Sequence, residues 1–302
     1  MPFPVSTALT AIAIAYKPQG LIADQVLPRK DVAKKKFQWT EYAPGQFMQV
    51  PDTRVGRRSR PNEVDFLGTE RTAECIDYGL DHPLSYDEND NAIDPQLGQQ
   101  IVQYLTGIVH QVRELRVAAL LQSATNYDAT AVVPLSGASM WTDPSADPIA
   151  GLLDMLERPL MRPNTIVLSV PAWLALRTNP KARAQVYGSG TDKLLEREHV
   201  AAALEVDRVL VGAARVETSR NPAVSVKSRC WGNHVAGLYL NPDATPQFGM
   251  TYGWTAVWGQ PVAGSQPDDR IGLRGGEVFR SGESLVETVA AKSCGFLLQN
   301  VA

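Results

Sequence analysis

The stretch that most constrains this chain runs from Asp94 to about Ala124, DPQLGQQIVQYLTGIVHQVRELRVAALLQSA. Asp94 can accept a hydrogen bond from free backbone amides, and Pro95 suits the first helical position, where no amide donor is needed. The pattern predicts a helix. Leu97, Ile101, Leu105, Ile108, Val112, Leu115 and Ala119 follow at steps of three or four and form one expected buried stripe, with Gln99, Gln103, Gln111, Arg113, Glu114 and Arg116 off it. At 1.5 Å per residue, about 28 residues make a rod of roughly 40 Å, a spine rather than an ordinary three-turn helix. Gly107 costs about 1 kcal/mol relative to Ala, so close packing must compensate. His110 is expected on the flank of the stripe, in a structural role.

A chain of 302 residues, 44% hydrophobic and 20% charged, can bury a core of one or two domains. Its formal net charge of −3 argues against a dedicated nucleic-acid binder. Cys75, Cys230 and Cys294 are far apart, odd in number and without a CxxC, which reads as reduced thiols. The opening MPFPVSTALTAIAIAY has no basic region and is interrupted by prolines, so neither a secretory signal nor a membrane span is expected. These features predict a soluble protein that stays inside the cell that makes it.

Residues 1–38 read as an arm: Thr7 to Ala15 is a short helix, and Leu21, Ile22, Val26 and Leu27 form an apolar patch that needs cover from the subunit or a neighbour. Phe37, Trp39 and Tyr42 alternate as in a strand, Pro44 and Gly45 mark a turn, and Arg54, Arg57, Arg58 and Arg60 crowd around Gly56 in a projecting basic loop. Thr69 to Ser85 reads as strand. The acidic cluster Asp87, Glu88, Asp90 and Asp94 lacks the glycine and terminal glutamate of a calcium loop and reads as a solvated turn. Asp128 to Val133 is a short strand candidate. Asp147 and Pro148 open a helix that Pro159 closes, Thr165 to Ser169 is a buried strand, Pro171 opens a helix, Glu196 to Leu204 is another, and Arg208 to Val216 is a strand. KARAQVYGSGTDK between the helices reads as turn-rich. Val235 to Leu240 and Phe248 to Trp258 are strands, Gln260 to Gly276 is a connection, and further strands end the chain.

Motifs for catalysis are missing: no GxSxG, HExxH, Walker A or Gly-rich dinucleotide turn. His82, His199 and His234 lack metal-ligand spacing. An α/β enzyme with its site in residues 144–216 remains as an alternative from another class.

Specific text points further. GLIADQVLPRKDVAKKKFQWTEY, VPDTRVGRRSRPNEVDF and DYGLDHPLS resemble the arm and extended loop of tailed-bacteriophage major capsid proteins of the Hong Kong 97-type fold. NTIVLSVPAWLALRTNP and LEVDRVLVGAARVET resemble their axial domain, and WGNHVAGLYL and FGMTYGWT the strands that follow. The resemblance covers nearly the whole chain. It implies an α+β fold with an N-terminal arm (1–38), an extended loop or β-hairpin (39–75), a peripheral domain carrying the spine (76–143), an axial domain (144–262) and strands returning to the peripheral domain (263–302). Arm and loop would lie over neighbouring subunits, which makes Arg54, Arg57, Arg58 and Arg60, with Phe37 and Trp39, the candidates for inter-subunit contact.

The resemblance implies a non-enzymatic protein that self-assembles as pentamers and hexamers into an icosahedral head shell around double-stranded DNA, with no catalytic residue, cofactor or metal. Its partners would be further copies of itself, a separate scaffolding protein, a portal, the packaged DNA through weak non-specific contact and an optional decoration protein, with no membrane involved. Its location would be the virion, after assembly in the host cytoplasm. A lysine–asparagine cross-link is not carried over, because Lys34, Lys35 and Lys36 have no identifiable partner. A bacterial nanocompartment (encapsulin-like) shell is the alternative within the same architecture.

Overall fold

The computed structural model describes residues 3–42, 50–64, 68–90, 96–188, 190, 192–219, 226–246 and 249–302. Asp94 and Pro95, the expected helix start, and Pro44 and Gly45, the expected turn, lie outside them. The arm holds helices α1 (Thr7–Ala15) and α2 (Ala23–Val26), then strand β1 (Arg29–Asp31). Strands β2 (Lys36–Tyr42) and β3 (Gly68–Glu74) form an antiparallel hairpin, and β4 (Ile76–Ser85) and a short helix α3 (Tyr86–Asp90) lead to the spine α4 (Leu97–Gln122).

The spine's buried face is not the one expected. Ile101, Val102, Leu105, Thr106, Val109, Arg113, Glu114, Val117, Ala118 and Leu121 are buried, whereas Val112 and Leu115 are 45% and 41% exposed. The reason is geometric. Buried positions follow one another by four residues from Ile101 to Leu121, and each such step advances about 40° around a 3.6-residue helix. The covered face therefore winds around the rod as its cover changes. Near the start, Ile101, Val102 and Leu105 pack with Ala13, Leu84, Ala263 and Phe279; near the end, Val117, Ala118 and Leu121 join Val26, Leu27, Tyr252 and Leu297. Gly107 faces the Tyr16 ring, which a Cβ would approach to 3.4 Å.

After β5 (Val132–Pro134) come α5 (Pro148–Leu156), β6 (Thr165–Ser169), α6 (Val170–Thr178), α7 (Pro180–Tyr187), α8 (Arg197–Leu204), β7 (Arg208–Gly212), β8 (Arg215–Glu217), β9 (Lys227–Arg229) and β10 (Val235–Leu238). The caps of α5, α6 and α7 are local chemistry: Asp147 accepts from the Ala150 amide, Ser169 from Ala172, and Asn179 from Lys181 and Ala182. The last of these corrects the turn-rich reading of KARAQVY, since Asn179 followed by Pro180 is the same cap-then-proline signature that opens α5. Strands β11 (Gly253–Val257), β12 (Val262–Asp268), β13 (Gly276–Val289) and β14 (Gly295–Gln299) complete the chain.

Among the described residues the strands form two five-stranded sheets and two hairpins. In the first sheet β13 is the long central strand. β11 and β12 follow end to end along one edge of it, β4 pairs along the other, and β1 adds to β11 in parallel. Val262 to Asp268 is thus a strand, not part of a connection. Its breaker Gly264 has a local cause: the Pro4 carbonyl lies 2.2 Å from where a Cβ would stand, so the arm crosses there. The second sheet has the order β5-β14-β10-β6-β7, with α5 to α8 packed on a core that includes Leu152, Leu156, Ile166, Leu176 and Phe296. Sheet membership is interleaved along the chain. β11 belongs to the first sheet, β14 sits inside the second, and a cut at residue 262 falls within β12.

Candidate assembly surface

The arm is fixed to its own spine by two charged residues that the amphipathic pattern places outside. Glu114 is fully buried. One carboxylate oxygen accepts from the amides of Ile22 (3.0 Å) and Ala23 (2.7 Å), and the other from Trp231 Nε1 (2.7 Å). Burial pushes its carboxyl above the usual range, and the Trp231 and backbone donors draw it partly back. Arg113, 1% exposed, donates to Asp24 (2.5 Å), the Leu27 carbonyl (3.3 Å) and Thr255 Oγ1 (3.1 Å). Burial opposes ionisation of Asp24, but the Arg113 and Arg29 guanidiniums outweigh it and hold that carboxyl below its usual range. Arg29 bridges onward to Glu283 at 2.5 Å, and Arg116 pairs with Glu287 at 2.9 Å while stacking on the Tyr78 ring.

Of the two covers expected for the arm's apolar patch, the subunit or a neighbour, these bonds supply the first. Ile22, Ala23, Val26 and Leu27 are covered by their own subunit. The signal was present in sequence: an Arg-Glu pair within the spine and an Asp in the middle of the arm's apolar patch, which neither element could bury without the other.

The hairpin is anchored to its own subunit at its root. Trp39 is 9% exposed and packs with Cys75, Trp254 and Ala256; Phe37 is half-buried with its ring 5.6 Å from that of Trp254. Residues two apart on a strand share a face, and here that face meets the first sheet. Trp39 and Phe37, the aromatic candidates for inter-subunit contact, therefore pack inside their own subunit. Lys35 pairs with Asp77 at 2.6 Å and Arg71 with Glu41 at 2.7 Å beside them.

Residues 50–64 are all exposed. Asp52 organises this loop: its side chain accepts from the Arg54 amide (2.9 Å) and its carbonyl from Asn62 Nδ2 (2.7 Å), while the Ser59 amide donates to the Gly56 carbonyl (3.1 Å). The side chains of Arg54, Arg57, Arg58 and Arg60 make no hydrogen bond or ion pair with any described residue. Val50, at 97% exposed, borders them. A second projection is the turn between β12 and β13, where Leu273 is 96% exposed and flanked by the pairs Arg270–Asp268 and Arg274–Asp87.

The remaining chemistry-bearing side chains stay apart. Cys75, Cys230 and Cys294 are buried and free, and His199 contacts Tyr187 and Glu196. Among the described residues, no cluster of His, Cys, Asp or Glu has the makings of a metal site, and no helix is long and apolar enough to cross a membrane.

No protein-family model matches the chain. It is 38% identical over 306 residues to the major capsid protein of Pseudomonas phage JBD67, covering 99% of this chain and 97% of that one. A phage-related protein from Bordetella bronchiseptica RB50 superposes with a TM-score of 0.78 at 21% identity, over 100% of this chain and 98% of that one. The capsid of cyanophage P-SCSP1u superposes at 0.59 and 12% identity, over 92% and 88%. End-to-end identity at this level settles the family: the chain belongs to the bacteriophage major capsid proteins of the Hong Kong 97-type fold, the non-enzymatic subunits of the head shell.

Proposed function

We propose that this subunit assembles as pentamers and hexamers into an icosahedral head around double-stranded DNA, and that the β2–β3 hairpin laps onto a neighbouring copy. The observation that carries this is the basic loop: Arg54, Arg57, Arg58 and Arg60 are exposed and have no partner among the described residues, on a turn closed by Asp52 and Asn62 and rooted by buried Trp39. Such a cluster adds little to its own fold. Against carboxylates of another copy it supplies orientation and register, and symmetry repeats each contact around the shell. Exposed Leu273 and Val50 give the same subunit apolar points of contact.

On this reading the first sheet and spine act as the peripheral domain. The second sheet, with α5 to α8, acts as the axial domain around the five-fold and six-fold centres. A net charge of −3 suits a wall past which DNA must slide, with weak non-specific contact only. A separate scaffolding protein, a portal, a decoration protein and assembly in the host cytoplasm rest on the family resemblance alone. The nanocompartment alternative is outweighed by the identity to a phage capsid protein. Electron microscopy of the purified chain tests the proposal: closed shells or sheets of capsomers are expected. A monodisperse monomer or dimer by light scattering across protein concentration and salt, with no particles, overturns it.

A further inference from the structure

Residues Leu21 to Asp31 are held on the spine by a charge cluster with one neutral member. Arg29 donates Nε to Asp24 (2.7 Å) and Nη1 to Glu283 (2.5 Å), and its Nη2 lies 3.3 Å from His110 Nδ1. A guanidinium has no acceptor, so that contact needs a lone pair on Nδ1, which assigns the neutral ring with its proton on Nε2. The charged groups around the ring come from every element packed there: Asp24 from α2, Arg29 and Asp31 from β1, Arg113 from α4, Glu283 from β13 and Lys17 from the segment after α1. The stretch 259–261 contributes only uncharged residues. Cations and carboxylates balance while His110 is neutral, and its protonation leaves one excess positive charge. A cavity of about 390 Å³ opens beside the ring, giving protons access and Arg29 room to swing away.

We propose that His110 is an acid-release latch for the arm: a proton on Nδ1 turns the acceptor of the Arg29 contact into a donor, breaks that contact and loosens Leu21–Asp31 from the spine. The core between the second sheet and α5 to α8, around Leu152, Leu156 and Phe296, contains no arm residue, whereas Ile22, Ala23, Val26 and Leu27 share the cluster on the sheet's other face with Val167, Ala236 and Leu297, so loosening the arm uncovers that face and leaves the helix-covered core closed. Burial already pushes His110 below its ordinary value of 6.5, with Glu283 opposing and Arg29 adding to the shift. A base with a depressed folded pKa takes up protons on release. The latch is therefore fully closed above the ordinary histidine value and weakens as pH falls from there toward the folded value. Asp24, held low by its guanidiniums, stays ionised through that interval.

Hydrogen–deuterium exchange of the full chain tests this, read on peptides spanning residues 21–31 near pH 7.5 and about pH 5.5 and corrected for intrinsic exchange. The wild-type arm should lose protection by about tenfold for each pH unit within the interval. His110→Gln, whose side-chain oxygen still accepts from Arg29 but does not titrate, should keep it. Protection of the wild-type arm that does not change with pH overturns the proposal, as does a His110→Gln variant with the same acid response. Nitrogen-15 spectra of histidine-labelled wild-type protein decide the matter if the variant does not fold. An unprotonated Nδ1 at neutral pH that titrates together with arm release supports the latch. A proton on Nδ1 at neutral pH overturns it.

Discussion

The carboxylate of Glu114 and the indole of Trp231 are joined by a 2.7 Å hydrogen bond across 117 residues of sequence, and the same carboxylate holds the amides of Ile22 and Ala23. One side chain thus ties the spine to the arm and to the segment before β10. Glu114→Ala leaves those donors buried without an acceptor, at about 1–3 kcal/mol for each group left unpaired, and should lower the denaturant midpoint by a matching amount. Glu114→Gln keeps one acceptor oxygen but turns an amide NH₂ toward one of the donors, so its loss should be smaller. The pH dependence has a definite sign. Because burial raises this carboxyl above its ordinary value of 4.5, its contribution is most favourable below that value and is lost as pH rises through the folded pKa. Wild type should therefore gain on Glu114→Gln toward acid, as read by denaturant unfolding at several pH values.

Two leucines separate the expected spine face from the observed one. Leu105 is 3% exposed and Leu115 is 41% exposed. Leu105→Asp buries an unpaired charge at a cost of several kcal/mol, comparable with the whole stability of an ordinary domain, and should give insoluble protein. Leu115→Asp places the same charge in water and should leave thermal unfolding of the subunit within about 0.5 kcal/mol of wild type. Equal behaviour of the two variants would contradict the winding of the buried face.

Trp39 belongs to the fold before it belongs to any interface. Trp39→Ala removes a large side chain from the contact with Trp254 and Cys75 and should cost about 3–5 kcal/mol, detectable in unassembled subunits by chemical denaturation. A loss seen only in assembled shells would place the residue between subunits instead.

What the sequence made legible divides along a physical line. Local chemistry was readable: Asp147 caps the helix expected of it, Pro171 lies in the first turn of the next, and Thr165 to Ser169 is the buried strand that its apolar run indicates. What depended on distant partners was not. The inward turn of Arg113 and Glu114 requires knowing that Asp24, Thr255 and Trp231 arrive from elsewhere. Pattern reading by residue type places charges outside by default. Likewise Gly264 and Pro267 read as breakers within a connection, yet β12 runs through them because β13 supplies its hydrogen bonds along an edge and the arm needs Gly264 bare. Of the loop, the sequence showed the arginines but not that Asp52 and Asn62 close it.

The arginines make the sharpest test of assembly. Arg57 and Arg58 are exposed, pair with no described residue and sit in a stretch, residues 50–64, that is exposed throughout. Reversing both to Glu should leave the circular dichroism spectrum and the unfolding midpoint of the free subunit unchanged, since isolated surface charges contribute about 0–1 kcal/mol. Against a neighbour's carboxylates the same reversal replaces attraction with repulsion at every copy, and the small term is multiplied around the shell. Shell yield should fall, or shells should come apart in milder denaturant, with the deficit partly relieved by salt because exposed charges are screened within about 8–10 Å at moderate ionic strength. Shells of unaltered stability would show the loop tip to be merely solvated. A variant that fails to fold would return those arginines to the subunit itself.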